Sequence, residues 1–182
     1  MARVRNVAAD ELPPAAREVC ERYVAAYGPF ANQVAVFAHV PPAADHLMSM
    51  LMELREAATL PRRYLELVIV VVSKLKACHY CVGHHKPMLI VEGISAAGVD
   101  RLPDFADHPE LTVVDKLVVE YAIQVTNEPA RVRDGLFDRL RAHFSEAQIV
   151  ELTLRITLTA FFNAFSEALQ LEQEDGSHAA AQ

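Results

Sequence analysis

The sequence predicts an all-α protein, and three observations carry that prediction. Six glycines and no tryptophan are spread so that long stretches contain neither Gly nor Pro. Apolar residues recur in those stretches at helical spacing, three and four apart. Only one short apolar run could be a strand. Nothing follows that could pair with it, and an isolated strand leaves its backbone groups unpaired. With 182 residues and 52% hydrophobic content, one domain with a sizeable core is expected.

Residues 1–10 read as a flexible lead-in, and a helical domain is expected over 11–172. A first helix runs from Pro13 or Pro14 to Tyr27 and ends at Gly28-Pro29, because proline is tolerated where the first N–H groups lack a helical partner. Cys20 lies in it and is expected to be a small buried apolar residue. Residues 30–40 read as an irregular connector or a short turn of helix. Pro41-Pro42 opens a helix over about 42–57, with Leu47, Met50, Leu51 and Leu54 at helical spacing. Its Met-rich part reads as plain core.

Leu67–Val72 is the ambiguous run, six apolar residues of which four are Val. Glu66 and Lys74 flank it without turn residues, so a buried helix over about 61–76 fits better than a strand. The next helix, about 79–92, carries the remaining cysteines, contains Pro87 and stops at Gly93. Ser95 caps a short helix at 96–101, and a loop follows at about 103–110. Thr112-x-x-Asp115 is a capping box that opens the stripe Val114, Leu117, Val118, Tyr121, Ala122 and Val125. An amphipathic helix is expected at about 131–143. Ser145-x-x-Gln148 is a second capping box, and it opens the longest helix, to about Leu171. That helix is apolar nearly all round (Ile149, Leu152, Ile156, Phe161, Phe162, Phe165, Leu169), as a central helix or one shared with another subunit would be. Residues 173–182 read as a disordered tail.

The formal charge of −7, with no Lys/Arg cluster, argues against nucleic acid as a partner. The N-terminal MARVRNVAADELPP lacks an apolar h-region, so no secretory signal is expected. Leu67–Val72, the longest fully apolar run, is far too short to span a bilayer. An odd count of three cysteines suits a reducing, cytoplasmic setting, with any disulfide transient.

The chemistry concentrates in Glu66–His85, ELVIVVVSKLKACHYCVGHH. On a helix, Cys78, Cys81 and His85 fall within ~60° of one another, while His79, Tyr80 and His84 point away. Cys78 at the helix start should be favoured as a thiolate by the partial positive charge there. Cys81 lies within reach of His85 at i+4. Two such thiols support a peroxidase cycle: one is oxidised to a sulfenic acid, the other condenses with it, and a dithiol reopens the disulfide. Two other readings stay open. The thiols could be inert core residues. Alternatively, Cys78, Cys81 and His85 could hold zinc with Glu66 or His84, although structural zinc usually draws on a second Cys/His pair. Cys20, His39, His46, His108 and His143 show no ligand spacing. No Gly-x-Gly-x-x-Gly is present, so no nicotinamide cofactor is expected. Val82 follows Cys81 where a haem attachment motif needs histidine.

Glu66, eleven residues, then Cys78-x-x-Cys81-x-x-x-His85 is similar to the signature of the AhpD-like alkylhydroperoxidase branch of the carboxymuconolactone decarboxylase family. LPRRYLELVIVVVSKLKACHYC resembles that family's central helix, HHKPMLIVEGIS the segment after it, and HFSEAQIVELTLRITLTAFFNAF its C-terminal helix. The resemblance implies an all-α, AhpD-like helical domain with the Cys-x-x-Cys at the start of a central helix, assembled as a homo-oligomer. It implies a thiol-dependent peroxidase acting on a small-molecule hydroperoxide, regenerated by a thiol reductant or adaptor. In that reading Cys81 is peroxidatic, Cys78 resolves, and Glu66 with His85 relays protons. The apolar neighbourhood of Glu66 should raise its pKa by desolvation. The best-known peroxidases of this type have a histidine immediately before the second cysteine. Here Tyr80 stands there and His79 one residue earlier, so Tyr80, His79 and His84 are the expected pocket or relay residues, with Tyr80 able to donate a hydrogen bond. The competing classes are a lyase of the decarboxylase branch, which needs no thiol pair, and a non-enzymatic redox-sensing or zinc-binding oligomer.

Overall fold

The structure is a computed structural model that describes residues 2–28 and 30–174. Every regular element among the described residues is helical. These residues form two compact units, one made of residues up to 58 together with those from 168 onward, the other of residues 59–167.

The first unit holds α1 (Pro14–Tyr27), α2 (Ala31–Phe37) and α3 (Pro41–Glu56). Proline opens both α1 and α3, as expected. The stretch 30–40 forms a two-turn helix, α2, whose Val34, Val36 and Phe37 are buried. Cys20 is buried in α1, and burial pushes its thiol up. The lead-in is hydrogen-bonded. Arg3 N donates to Leu169 O at 3.0 Å and Val7 N to Ala35 O at 3.1 Å. Asn32 N donates to Glu174 Oε1 at 2.7 Å. Of the tail expected at 173–182, residues 175–182 lie outside the described residues.

The second unit is built round α4 (Arg62–Leu75), which packs against α5 (His79–Val91) and α7 (Val113–Asn127). The run Leu67–Val72 lies within α4, and Leu67, Val68, Val70, Val71 and Val72 are fully buried. Burial of apolar residues on most sides explains why this run shows no clean period. Gly93, at φ +91°, follows α5 as a residue that tolerates this conformation. Ser95 caps α6 (Ala96–Arg101), its hydroxyl accepting from Gly98 N at 3.0 Å. The Thr112/Asp115 capping box is present, with bonds of 2.9 and 3.1 Å.

The helix expected at 131–143 is shorter. A 3-10 turn, Pro129–Arg131, precedes α8 (Asp134–Arg141), because Val132 and Arg133 are extended. The Ser145/Gln148 box opens α9 (Glu146–Leu169). By length and composition α9 would suffice to cross a membrane, as would the central helix of a packed core. It is not apolar all round. Ile149, Leu152 and Ile156 are buried, but the buried stripe continues as Thr159, Asn163 and Ser166, while Phe161 is 47% exposed.

One ion pair ties the helix starts and ends of this unit together. Arg63 donates through Nε and Nη2 to the Asp115 carboxylate at 2.9–3.2 Å, and through Nη1 to Glu92 O at 2.6 Å. Burial alone would raise the Asp115 carboxyl, but the bonds from Arg63 and Thr112 hold it below its ordinary value. Removing one partner strands a buried charge, so Arg63→Ala is expected to cost about 3 kcal/mol in urea unfolding near neutral pH. A carboxyl held low in the fold stabilises above its unfolded pKa and loses that contribution as pH falls through the folded value. The gap between wild type and Arg63→Ala should therefore narrow in strong acid. A gap that stays constant with pH would contradict the assignment.

Candidate active site

The site begins at the joint between α4 and α5. Cys78 N donates to Ser73 O at 2.8 Å and Ala77 N to Lys74 O at 3.1 Å. This is the paired pattern that closes a helix when the chain turns left-handed. Ala77 takes that conformation at φ +52°, where glycine is usual. Cys78 is then the N-cap of α5, with its Sγ accepting from Cys81 N at 3.4 Å. Because Cys78 precedes the helix, its side chain does not follow the helical arc that the spacing predicts.

Both cysteines are buried, Cys78 completely, and neither is in a disulfide. Their thiols interact unequally. The Cys78 thiol donates to Cys81, and that bond, reinforced by burial and the nearby Glu167, pushes the Cys78 thiol well above its ordinary value. Expecting a Cys78 thiolate from the helix start is thus corrected: a sulfur that gives its proton to a neighbour holds that proton tightly. The same bond lowers Cys81 to about 7. Burial opposes the shift, while His85 and hydrogen bonds from Asn163 and Ser166 support it.

Glu66 on α4 and His85 on α5 meet, with Nδ1 of the ring 2.8 Å from Glu66 Oε2. Arg62 Nε lies 3.5 Å from Glu66 Oε1 and 3.8 Å from Glu92. Burial pulls the Glu66 carboxyl up, but His85 and Arg62 outweigh it, so its pKa falls rather than rises. Burial likewise pulls His85 down, and Glu66 and Cys81 more than offset this, so His85 is raised. Each partner thus favours the charged form of the other, beside an ionisable thiol.

The remaining candidates lie apart from this contact. Tyr80 is 2% exposed and meets the buried His84 edge-to-face, with ring centroids 4.5 Å apart. Both side chains are buried in the protein. His79 is exposed, and its backbone N–H donates to Glu167 Oε1 at 2.9 Å. His108 is buried among backbone partners, Gly98 O at 2.9 Å and Glu110 N at 3.2 Å. Among the described residues, no group of three or more His, Cys, Asp or Glu side chains is arranged to hold a metal ion, so the set of Cys78, Cys81 and His85 with Glu66 or His84 is not assembled.

Sequence reasoning missed Asn163, Ser166, Glu167 and Ser73. Asn163 and Ser166 are three residues apart on α9 and both are buried. Polar residues at core positions of an apolar helix were the available signal.

Residues 41–109 match the Carboxymuconolactone decarboxylase family model. The fold is shared with an uncharacterized peroxidase-related protein from Silicibacter sp. TM1040, at 18% identity and TM-score 0.83, covering 100% of this chain and 96% of that one. It is shared too with an uncharacterized peroxidase-related protein with an alkylhydroperoxidase AhpD core from Ralstonia eutropha JMP134, at 17% identity and TM-score 0.80, covering 99% and 96%. The debrominase Bmp8 is also similar, at 17% identity and TM-score 0.74, covering 92% and 90%. The segment 41–109 is thus similar to the carboxymuconolactone decarboxylase family, and the chain as a whole shares its fold with these AhpD-like proteins.

The unequal thiols give a test. Cys78→Ala removes the donor to Cys81, so the pH midpoint for iodoacetamide alkylation of Cys81, mapped by mass spectrometry, should rise from about 7 by about one unit. An unmoved midpoint would show that Cys78 does not set the ionisation of Cys81.

Proposed function

We propose that this protein is a thiol-dependent peroxidase that reduces organic hydroperoxides or hydrogen peroxide through a Cys78/Cys81 dithiol–disulfide cycle. One observation carries the reading. Of the three cysteines, Cys81 alone has its thiol held below its ordinary value, at about 7, while Cys78 and Cys20 are pushed up. A thiolate is the attacking form, and here it is paired with a thiol that keeps its proton and with a charged imidazole.

In the cycle, the Cys81 thiolate attacks the terminal oxygen of the hydroperoxide. The O–O bond breaks, that oxygen stays on sulfur as a sulfenic acid, and the alkoxide leaves with a proton from His85. His85, neutral and anchored by Glu66, then takes the Cys78 proton. The Cys78 thiolate attacks the Cys81 sulfur and displaces hydroxide, which leaves as water with that proton. An external dithiol reduces the Cys78–Cys81 disulfide and returns both thiols. The pair is built for this direction: the nucleophile ionises first, and the resolving thiol ionises once its hydrogen-bond partner has been oxidised. Val150 and Phe161, exposed on one face of α9, support action as a homo-oligomer.

A second reading is thiol-dependent removal of halogen from an aromatic substrate. It is favoured by the likeness to Bmp8, of which a cysteine-to-alanine variant is known in complex with 2,3,4-tribromopyrrole. In that reaction the thiolate takes bromine from the ring as S–Br forms and C–Br breaks, the ring carbon gains a proton, and the second thiol displaces bromide to leave the disulfide.

Consumption of cumene hydroperoxide with dithiothreitol as reductant tests the first reading. Wild type should turn over, Cys81→Ser should fall to the uncatalysed rate, and Cys78→Ser should stop at the Cys81 sulfenic acid when the dithiol is left out. An active Cys81→Ser protein would overturn it. Inactive wild type that debrominates tribromopyrrole would favour the second reading. Turnover of a carboxylated lactone by a Cys78→Ser/Cys81→Ser double variant would favour a lyase.

A further inference from the structure

The buried stripe of α9 changes chemistry along its length. Its first half, Ile149, Leu152 and Ile156, packs apolar side chains into the core. At the same three- and four-residue steps it continues as Thr159, Asn163 and Ser166. Thr159 satisfies itself within the helix, its hydroxyl donating to Arg155 O at 2.7 Å. Asn163 does not. It is fully buried, and its Nδ2 donates to Ser73 Oγ at 3.0 Å on α4. The same side chain and that of Ser166 hydrogen-bond the Cys81 sulfur. Asn163 Oδ1 is buried with no hydrogen-bond partner among the described residues. Burying an amide oxygen unused is costly, and leucine would pack such a position without that cost.

We propose that Asn163 is a positioning residue for both partners of the reaction, its amide nitrogen holding the Cys81 thiolate and its amide oxygen accepting the O–H of the hydroperoxide. The first half needs only that Cys81 is the ionising thiol; the second rests on the peroxidase reading above. The atoms balance in the cycle. The terminal peroxide oxygen carries its hydrogen onto sulfur as the O–O bond breaks, so one hydrogen bond to Asn163 Oδ1 serves substrate and sulfenic acid alike. The alkoxide leaves on the opposite side and takes its proton from His85. An amide suits this double duty because its two ends are a donor and an acceptor fixed in one plane. Ser73 anchors the donor end and so fixes which end meets sulfur.

The titratable groups facing Cys81 are Cys78 and His85 from α5, Glu66 with Arg62 behind His85 on α4, and Glu167 beside Cys78 from α9. Asn163 is neutral, so its removal should shift the Cys81 midpoint without adding a titration. The experiment compares wild type with Asn163→Leu in two reactions across pH. Iodoacetamide alkylation of Cys81 needs a thiolate but offers no O–H. It should be about tenfold slower in the variant near pH 7 and converge on wild type once the thiol is fully ionised. Cumene hydroperoxide consumption should stay several-fold below wild type even there, because the acceptor for its O–H is gone. An alkylation rate that is unchanged, or lowered by the same factor at every pH, would overturn the thiolate half. Recovery of peroxide consumption in step with alkylation would overturn the O–H half. If wild type alkylates as expected but consumes no peroxide, the peroxidase reading fails and the thiolate half stands. A variant that does not fold is bypassed in the unaltered protein. There the Asn163 side-chain amide signal in NMR must move with the pH midpoint of Cys81 alkylation, and a signal that stays fixed overturns the proposal.

Discussion

The site depends on one residue serving two helices. Cys78 N–H closes the end of α4 on Ser73 O, and Cys78 Sγ opens α5 by accepting Cys81 N–H. That double duty fixes the sulfur at the turn instead of on the helix surface, and it leaves the second sulfur one turn inside. Ala77 holds the turn in a left-handed conformation at φ +52°, at a cost of roughly 1–2 kcal/mol relative to glycine. The core of α4 offsets this easily, since five of its residues between Leu67 and Val72 are fully buried. The rigid valine-rich helix is thus the support against which the thiols are aimed.

The electrostatics follow from where each proton is held. Two thiols side by side cannot share a charge equally, so the one that donates keeps its proton and the one that accepts loses it. His85 strengthens the choice from one side of Cys81, Asn163 and Ser166 from another. Glu66 raises His85 instead of acting as a neutral acid, and His85 and Arg62 together lower Glu66. Burial taken alone gives the wrong sign at Glu66, because an apolar sequence neighbourhood says nothing of the two cations that reach it.

The helices were legible wherever a local signal marked their ends. Pro13-Pro14 and Pro41-Pro42, the Thr112/Asp115 and Ser145/Gln148 boxes, and Gly93 each stop or start an element where the spacing places it. The region 129–133 was less legible, because a proline-led 3-10 turn carries helix-like residues without a continuing helix. Glu66, Cys78, Cys81 and His85 could be picked out, since their spacing of 19 and fewer residues is a pattern along the chain. Asn163, Ser166 and Glu167 left only a weak signal, polar residues on the buried side of an apolar helix. They approach the cysteines from 80 or more residues away, as the separation of 88 between His79 and Glu167 illustrates. Only the packing of α9 brings them there, and no periodicity announces which turn of a long apolar helix will face a thiol.

The central claim is that Cys81 is the thiol that takes oxygen and Cys78 the one that resolves it. The most direct measurement is mass spectrometry of the protein after one equivalent of hydroperoxide, with the modified residue mapped by peptide. In Cys78→Ser the account predicts a single added oxygen on Cys81, and in wild type a Cys78–Cys81 disulfide with no added oxygen. Oxygen on any other residue, or an unmodified Cys81 in both proteins, would contradict it.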